Sequence, residues 1–296
     1  MNKLPRFKSS RALYCTCPPK YSLNTYLGRC QHGCVYCYAV KFPSFIGPTL
    51  PRLDMLEKLE RAVKKTFPIL PVMLCDSTDP YQPIEKKFKV TRRVIETLAK
   101  HDFPMLVLTK SDLVTRDVDI YSSSIAVVGL TVTTIDDEVA SRIEPNAPSP
   151  DYRIDALSKL SGAGVPTYAR IDPIIPTVND DEKMLEKLVK ELIDAGVEHI
   201  TVSTLKLVGD LDKLKILQPD EEKFQKIYRL YASSKPLYGY RYLPFMLRQH
   251  IVRKVRKIVL KYGASFASCR ENLAYLNTGT CDGSHLFKKF GREIML

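Results

Sequence analysis

The chain has 296 residues, of which 45% are hydrophobic and 26% are charged, and its formal net charge is +12. These proportions are ordinary for a globular protein and exclude a wholly disordered chain. No run of about 18 apolar residues is present, and the first residues lack the apolar core of a secretory signal, so we expect no membrane span and no export. We therefore expect a cytoplasmic protein, whose eight cysteines would be reduced and available to bind metals.

Positive charge is concentrated at the two ends of the chain. Residues 1–29 carry six basic and no acidic side chains, and residues 235–296 carry twelve basic and three acidic side chains, a net charge of +9. The intervening residues 30–234 are close to neutral. Because Lys and Arg gain by displacing counterions from phosphates, a nucleic acid is an expected partner. The alternative is a charged surface that contacts only solvent.

Short β-rich segments alternate with segments of helical periodicity from residue 50 onward. The predicted strands cover 72–75, 105–109, 125–133, 166–171 and 199–204. The predicted helices between them cover 53–67, 84–100, 112–121, 150–163 and 180–195. This alternation predicts an α/β fold with a parallel sheet and right-handed crossovers. With one more strand near 23–28 the total is about six, which would form an open sheet or an incomplete barrel.

The pattern changes beyond residue 215. Helices are predicted at 220–232 and 244–262, and the second has an apolar face flanked by several Lys and Arg side chains. Between them, Tyr238, Tyr240 and Tyr242 surround Arg241, a mixture that can stack nucleobases or line the edge of a core. We therefore divide the chain into a basic N-terminal extension (1–21), a central α/β region (22–215) and a helical, basic C-terminal region (216–296).

Three cysteines lie close together just after the first predicted strand. Cys30, Cys34 and Cys37 have the spacing C-x3-C-x2-C, and Gly33 lets the loop between them fold tightly. Three thiolates this close can bind one metal centre. A [4Fe–4S] cluster normally takes four Cys ligands, so a cluster held by three would keep an open position on one iron.

This spacing, with Tyr36 directly before the last cysteine, resembles the cluster motif of the radical S-adenosylmethionine (radical SAM) superfamily, whose fold is an incomplete TIM barrel. The alternative is a structural zinc knuckle with His32 or a remote residue as its fourth ligand. Further segments resemble the spore photoproduct lyase-like branch, also called DNA repair photolyase-like, in collinear order over about residues 20–205. These segments are 23–26, 77–85, 108–111, 116–117, 143–149 and 172–176. The resemblance implies a partial barrel of about six β/α units with both basic extensions packed on it.

The same resemblance implies a chemistry and two cofactors. Cys30, Cys34 and Cys37 would bind a [4Fe–4S] cluster, and S-adenosylmethionine would fill the open iron position. An electron donor such as ferredoxin or flavodoxin would reduce the cluster. Cleavage of S-adenosylmethionine would then give methionine and a 5′-deoxyadenosyl radical that abstracts hydrogen from the substrate.

Several residues at strand ends are implied to bind S-adenosylmethionine. Tyr36 would lie near the adenine. Ser77, Thr78 and Asp79 would contact the methionine amino group, and Lys110 would pair with its carboxylate. The alternative for the segment 77–80 is a helix cap and turn, and the alternative for Lys110 is a surface ion pair.

Four further positions complete the implied site. Thr131 and Thr133, at the end of the fourth strand, would meet the ribose hydroxyls, and Arg170 would end the fifth strand. The alternative for Arg170, as for Lys110, is a surface ion pair. Cys75 lies at the end of a strand, near the place where spore photoproduct lyase has a cysteine that returns a hydrogen atom to the product radical. The alternative for Cys75 is a small buried hydrophobic side chain.

Four cysteines remain outside the motif, two near each end of the chain. Cys15, Cys17, Cys269 and Cys281 would make a full ligand set for a second Fe–S cluster or for zinc. The alternatives are disulfides or unlinked thiols, and His285 is an alternative ligand.

These features together predict a lyase-like radical SAM enzyme that acts on a nucleobase in DNA or RNA. One alternative keeps the chemistry and moves it to a peptide or a small molecule. Another is a non-catalytic zinc or Fe–S protein that binds nucleic acid.

Overall fold

The computed structural model describes residues 1–8, 13–75 and 78–291. Its strands are β1 (Tyr21–Leu23), β2 (Tyr26–Leu27), β3 (Leu50–Pro51), β4 (Val72–Leu74), β5 (Met105–Thr109), β6 (Ala126–Thr131), β7 (Thr167–Ile174), β8 (His199–Thr204) and β9 (Ser265–Ser268). Seven of them form one parallel sheet in the order β1-β4-β5-β6-β7-β8-β9. β2 and β3 pair as a separate antiparallel ribbon. The sheet does not close between β1 and β9, which confirms the predicted incomplete α/β barrel.

Helices connect the strands of the sheet. The α-helices are α1 (Leu53–Lys64), α2 (Glu85–Phe88), α3 (Val90–Lys100), α4 (Val118–Ser122), α5 (Asp137–Ile143), α6 (Pro150–Gly162), α7 (Glu182–Asp194), α8 (Lys213–Leu217), α9 (Glu221–Ala232) and α10 (Phe245–Lys261). Shorter 3-10 helices cover Tyr38–Lys41, Pro43–Phe45, Asp112–Asp117, Ala274–Leu276 and Ser284–Phe290. No helix among these described residues is long and apolar enough to cross a membrane.

The two faces of the sheet are covered by different parts of the chain. Central strands such as β6 are buried at every residue, as expected for a parallel sheet covered on both sides. Apolar side chains of the crossover helices, such as Leu185 and Leu188 of α7, belong to the large core on one face. On the other face, Tyr168 and Val127 pack against Phe287 of the 3-10 helix Ser284–Phe290. The 3-10 helix of the C-terminal region therefore packs against part of the inner face of the partial barrel.

The seventh strand is the main difference from the predicted fold. β9 pairs in parallel with β8, from His199 opposite Ser265 to Val202 opposite Ser268. The sequence Ser-Phe-Ala-Ser is too short and too poor in β-branched residues to predict a strand by itself. Residues 265–268 of the C-terminal region thus belong to the same sheet as the central region.

The remaining differences are local. The helix predicted over 84–100 is interrupted at Lys89, whose φ of 49° is left-handed, and so it divides into α2 and α3. The strand predicted near 23–28 is also divided, because β1 ends at Leu23 and β2 begins at Tyr26. The other predicted strands and the long helices are confirmed within a few residues.

The N-terminal extension contacts β1 and the C-terminal region. Arg6 forms an antiparallel bridge with Tyr21 of β1. Lys20 and Asp282 form a buried ion pair at 2.5 Å, although 262 positions separate them in the sequence. The basic N-terminal extension is therefore packed onto the C-terminal region.

Candidate active site and cysteine groups

The three cysteines of the predicted cluster lie on one loop after β2. Cys30, Cys34 and Cys37 are free thiols on partly accessible residues. Two turns fold the loop: the Gly33 N–H donates to the Cys30 carbonyl at 3.4 Å, and the Cys37 N–H donates to the Cys34 carbonyl at 3.1 Å. Gly33 has a φ of 64°, a left-handed conformation that glycine adopts without a steric penalty. The thiols are close enough that the charge of Cys34 affects Cys30 and the charge of Cys37 affects Cys34.

Burial makes these thiols hard to ionise without a metal. It raises the pKa of Cys34 to about 12, against the opposing effect of the Lys110 ammonium. Burial is also the main cause that raises the pKa of Cys30 and of Cys37. Iron bound here would supply the positive charge that stabilises the thiolates. Three neighbouring unpaired thiols thus fit a [4Fe–4S] cluster with one open iron position.

His32 lies within the same loop and is buried. Its Nδ1 is 3.3 Å from the carbonyl oxygen of Asn146, and its Nε2 is 3.3 Å from Oδ2 of Asp79. Nδ1 therefore faces a backbone acceptor, while Nε2 lies near a carboxylate without the geometry of a hydrogen bond.

Asp79 is a buried carboxylate that joins the cluster loop to the end of β5. Its Oδ1 accepts hydrogen bonds from the Tyr81 N–H at 2.8 Å and from the Thr109 hydroxyl at 2.6 Å. Its Oδ2 accepts from the Lys110 N–H at 2.8 Å and faces His32. Burial opposes ionisation, but His32, Thr109 and the Lys110 N–H outweigh it and lower the pKa of Asp79 to about 2. Three of the roughly four acceptor positions of this carboxylate are therefore occupied by the protein.

A buried charge network lies beside the loop, and the sequence does not predict it. The Tyr36 hydroxyl donates to Glu144, and Glu144 pairs with Arg153, which is 1% exposed. Lys110 stands over the Tyr36 ring, with its Nζ 5.6 Å from the ring centre. Burial opposes the charge of Lys110, but Cys34 and Glu144 outweigh it and raise the pKa of this ammonium. Glu144 falls within the segment 143–149 that carries the family resemblance, and Tyr36 and Lys110 are predicted site residues, but nothing in the sequence predicts that they contact one another.

The hydroxyl residues predicted to contact S-adenosylmethionine have different surroundings in the structure. Thr131 ends β6, and its carbonyl accepts from Arg153 Nη1 at 3.1 Å. Thr133 is buried, and among the described residues its hydroxyl oxygen has no hydrogen-bond partner, so it could contact a bound ligand. Thr78 contacts Cys75. Ser77 lies outside the described residues.

The sequence predicts Arg170 at the end of a strand, but the structure places it inside β7. The dipeptide Asp172-Pro173 suggests a turn, but the strand continues and pairs again at Ile174, opposite Thr204. The Arg170 guanidinium pairs with Asp172 at 2.6 Å and also contacts the Cys269 thiol. Arg170 therefore extends the site toward the C-terminal cysteines.

Cys75 follows β4 and is buried. It has a φ of 57°, which is unusual for a residue with a side chain. Its sulfur is 3.3 Å from the Thr25 N–H and 3.2 Å from the Thr25 hydroxyl. Burial raises the pKa of this thiol to about 11, against the opposing effect of Thr25. The thiol therefore keeps its proton at neutral pH.

The four remaining cysteines lie together, and we call them the second cysteine group: Cys15, Cys17, Cys269 and Cys281. All four are free thiols. The sulfurs of Cys17 and Cys281 are 3.6 Å apart, and Cys15 interacts electrostatically with Cys17, as Cys269 does with Cys281. Within the described ranges, no three Cys, His, Asp or Glu side chains already have the full geometry of a metal site. Both groups of thiols would therefore have to close around a metal.

Relatives of the chain are found in archaea, bacteria and viruses. An uncharacterized protein of Methanocaldococcus jannaschii is 37% identical over 170 residues, which is 56% of this chain and 64% of that protein. An uncharacterized protein of Mycobacterium tuberculosis is 24% identical over 88% of this chain and 78% of its own length. A radical SAM Nα-GlyT isomerase of Pseudomonas phage M6 is 23% identical over 60% of this chain and 38% of that protein.

The fold is similar to that of two kinds of solved structure. A Tyr-to-Phe variant of spore photoproduct lyase superimposes with a TM-score of 0.66 at 16% identity, over 90% of this chain and 79% of that one. SuiB of Streptococcus suis superimposes with a TM-score of 0.55 at 12% identity, over 86% of this chain and 49% of that one. At these identities the likeness concerns the fold alone. Residues 25–189, more than half of the chain, match the Radical SAM superfamily, and the chain belongs to that superfamily of enzymes.

Proposed function

We propose that this radical SAM enzyme binds its [4Fe–4S] cluster through Cys30, Cys34 and Cys37 and acts on a nucleobase in DNA or RNA. The observation that carries the proposal is that three unpaired thiols share one loop, near the positively charged Lys110 at the end of β5. When bound, the reduced cluster supplies the electron that cleaves S-adenosylmethionine into methionine and a 5′-deoxyadenosyl radical, which takes hydrogen from the substrate. A ferredoxin or flavodoxin would be a suitable electron donor.

We assign the methionine part of S-adenosylmethionine to the end of β5 and the loop after β4. Lys110 would pair with the carboxylate, because Cys34 and Glu144 keep its ammonium charged despite burial. The hydroxyls of Ser77 and Thr78 would accept from the amino group. Asp79 would mainly orient its neighbours in this segment, because its oxygens already accept hydrogen bonds from the protein.

We assign the nucleoside part to the ends of β6 and the cluster loop. The unpartnered hydroxyl of Thr133, with Thr131 beside it, would meet the ribose. The Tyr36 ring would lie near the adenine, held in one orientation by its hydrogen bond to Glu144. The protonated thiol of Cys75 would return a hydrogen atom to the product radical, which requires Thr25 to give access to the sulfur.

The nucleic-acid part of the proposal is supported by what we call the aromatic–basic patch: Tyr38, Lys41, Tyr238, Tyr240 and Arg270. Tyr38 comes directly after the last cluster cysteine, and its ring centre is 6.4 Å from that of Tyr240. Lys41 and Arg270 stand over the Tyr240 ring, at 4.0 Å and 4.9 Å. Tyr238 is 80% exposed. Tyr240 is 8% exposed, so it would hold the two cations in place, while the exposed rings of Tyr38 and Tyr238 could stack bases and the cations could contact phosphates.

The chemistry can be tested by anaerobic reduction of the iron-loaded protein in the presence of S-adenosylmethionine. We expect 5′-deoxyadenosine from the unsubstituted protein and none from Cys34→Ala, which removes one cluster ligand. Circular dichroism should show the same helix content in both proteins. Full cleavage by Cys34→Ala would contradict the ligand assignment.

The substrate class can be tested by binding and by product formation. We expect affinity for single-stranded DNA or RNA to fall steeply with salt. Lys41→Ala should weaken binding and reduce the salt slope by about 1, because one phosphate contact is lost. Lys58→Ala, on the exposed face of α1, is the matched control and should bind normally. Binding that is insensitive to salt, or 5′-deoxyadenosine formation stimulated by peptides and not by nucleic acid, would contradict a nucleobase substrate.

A further inference from the structure

The second cysteine group joins two distant parts of the chain. Cys17 and Cys281 are 264 positions apart in the sequence, yet their sulfurs are 3.6 Å apart. Cys15 extends this contact on one side through Cys17, and Cys269 extends it on the other side through Cys281. Four unpaired thiols in one chain of contacts are a complete donor set for one metal centre.

The distance between sulfurs distinguishes a single ion from an Fe–S cluster. In a tetrahedral site with zinc–sulfur bonds of about 2.3 Å, the geometry of the tetrahedron places the ligand sulfurs about 3.8 Å apart. In a [4Fe–4S] cluster each cysteine binds a different iron, so the ligand sulfurs are held farther apart. The distance of 3.6 Å between the sulfurs of Cys17 and Cys281 is close to the sulfur–sulfur distance expected around a single zinc ion.

The C-terminal half of the group is fixed by the end of the sheet. The Cys269 N–H donates to the Val202 carbonyl of β8 at 2.9 Å. The Thr201 hydroxyl donates to the Cys281 carbonyl at 3.1 Å. Two of the four ligands are therefore held by a rigid strand before any ion binds.

Two cations lie near the sulfurs. The charge of Lys20, which is 4% exposed, acts on Cys17, and the charge of Arg170 acts on Cys269. Each cation also pairs with a carboxylate, Asp282 and Asp172 respectively. Four thiolates around a divalent ion carry a net charge of −2, which such N–H donors stabilise. Donors around the ligands are a regular part of metal sites.

We propose that Cys15, Cys17, Cys269 and Cys281 bind one zinc ion, which links the N-terminal extension to the carboxyl end of β8. All four coordination positions would be filled by protein, so this ion would stabilise the fold and would not bind substrate. The proposal concerns a centre separate from the cluster loop. It can fail while the radical SAM chemistry stands, and it can hold if the nucleobase substrate is wrong.

The test is the metal content of the full chain in a background that lacks the cluster ligands, Cys30→Ala/Cys34→Ala/Cys37→Ala. After anaerobic purification, we expect one zinc per chain. The X-ray absorption spectrum at the zinc edge should show four sulfur neighbours at about 2.3 Å. Adding Cys281→Ser should reduce the zinc retained against a competing chelator at least tenfold.

The matched control is Cys75→Ser, which removes a buried thiol outside the second cysteine group and should leave the zinc content unchanged. Because Cys281 is itself buried, the absorption spectrum of the protein with all four thiols gives an answer that does not depend on how Cys281→Ser folds. Zinc that survives Cys281→Ser, a spectrum with nitrogen or oxygen neighbours, iron and sulfide in place of zinc, or a disulfide with no metal would each overturn the proposal.

Discussion

The Glu144→Gln substitution is a direct test of the buried charge network beside the cluster loop. Glu144 and Arg153 are each 1% exposed, so the substitution leaves the Arg153 charge buried without its partner. Removing one member of such a pair costs about 3–5 kcal/mol. Arg153 keeps its hydrogen bonds to the carbonyls of Pro148 and Thr131, so we expect a loss near the lower limit, about 3 kcal/mol. With an unfolding entropy of about 2.1 cal/mol/K per residue over 296 residues, this lowers Tm by roughly 5 °C.

The assay is urea or thermal unfolding of the metal-loaded protein, followed by circular dichroism under anaerobic conditions. Glu138→Gln on α5 is the matched control. Glu138 is paired with Arg142 at 3.5 Å, but its side chain is 90% exposed, so its loss should change stability by less than about 0.5 kcal/mol. If Glu144→Gln and Glu138→Gln were equally stable, the buried pair of Glu144 and Arg153 would not contribute to the stability of the fold as we argue.

Three further outcomes are expected. Burial, with the charge of His285, lowers the pKa of His199 to about 3. The unfolded chain has a His pKa of about 6.5, so below that pH the unfolded state binds a proton that folded His199 does not. The free energy of unfolding therefore has its full value above pH 6.5 and falls by about 1.4 kcal/mol per pH unit between about pH 6.5 and 3. His199→Gln should flatten the dependence measured by urea unfolding, and an unchanged slope would contradict the neutral imidazole. Cys75→Ala should keep S-adenosylmethionine cleavage and change the product detected by mass spectrometry; an identical product would remove Cys75 as hydrogen donor. Lys110→Met should weaken S-adenosylmethionine binding about tenfold or more in calorimetry, because a charge-assisted contact is worth about 1.5–3 kcal/mol. Equal affinity would show that Lys110 does not meet the carboxylate.

The parallel sheet is predictable because its strands are short apolar segments separated by amphipathic helices. The predicted strands 105–109 and 199–204 coincide with β5 and β8. β9 is not predictable in this way, because its four residues gain strand structure only from the exposed edge of β8. Tertiary pairing decides its conformation, and local propensity does not.

The cysteine spacing identifies the cluster loop because all three thiols lie within a few residues of one another. The network around it cannot be read from spacing. Tyr36 and Glu144 are 108 positions apart, and only the fold brings them into contact. The same limit applies to His32, whose partners Asn146 and Asp79 come from other parts of the chain.

The buried pair between Lys20 and Asp282 has a consequence for the protein as it leaves the ribosome. The lysine emerges first, and its aspartate is added 262 residues later. At about 5–20 residues per second, the wait is on the order of ten seconds or more. Throughout that interval Lys20 lacks its carboxylate partner, and the inner face of the nascent sheet stays uncovered until residues 284–290 arrive. Assembly of this sheet therefore waits for residues 282–290, and a chain stalled before that point would expose apolar surface to chaperones and proteases.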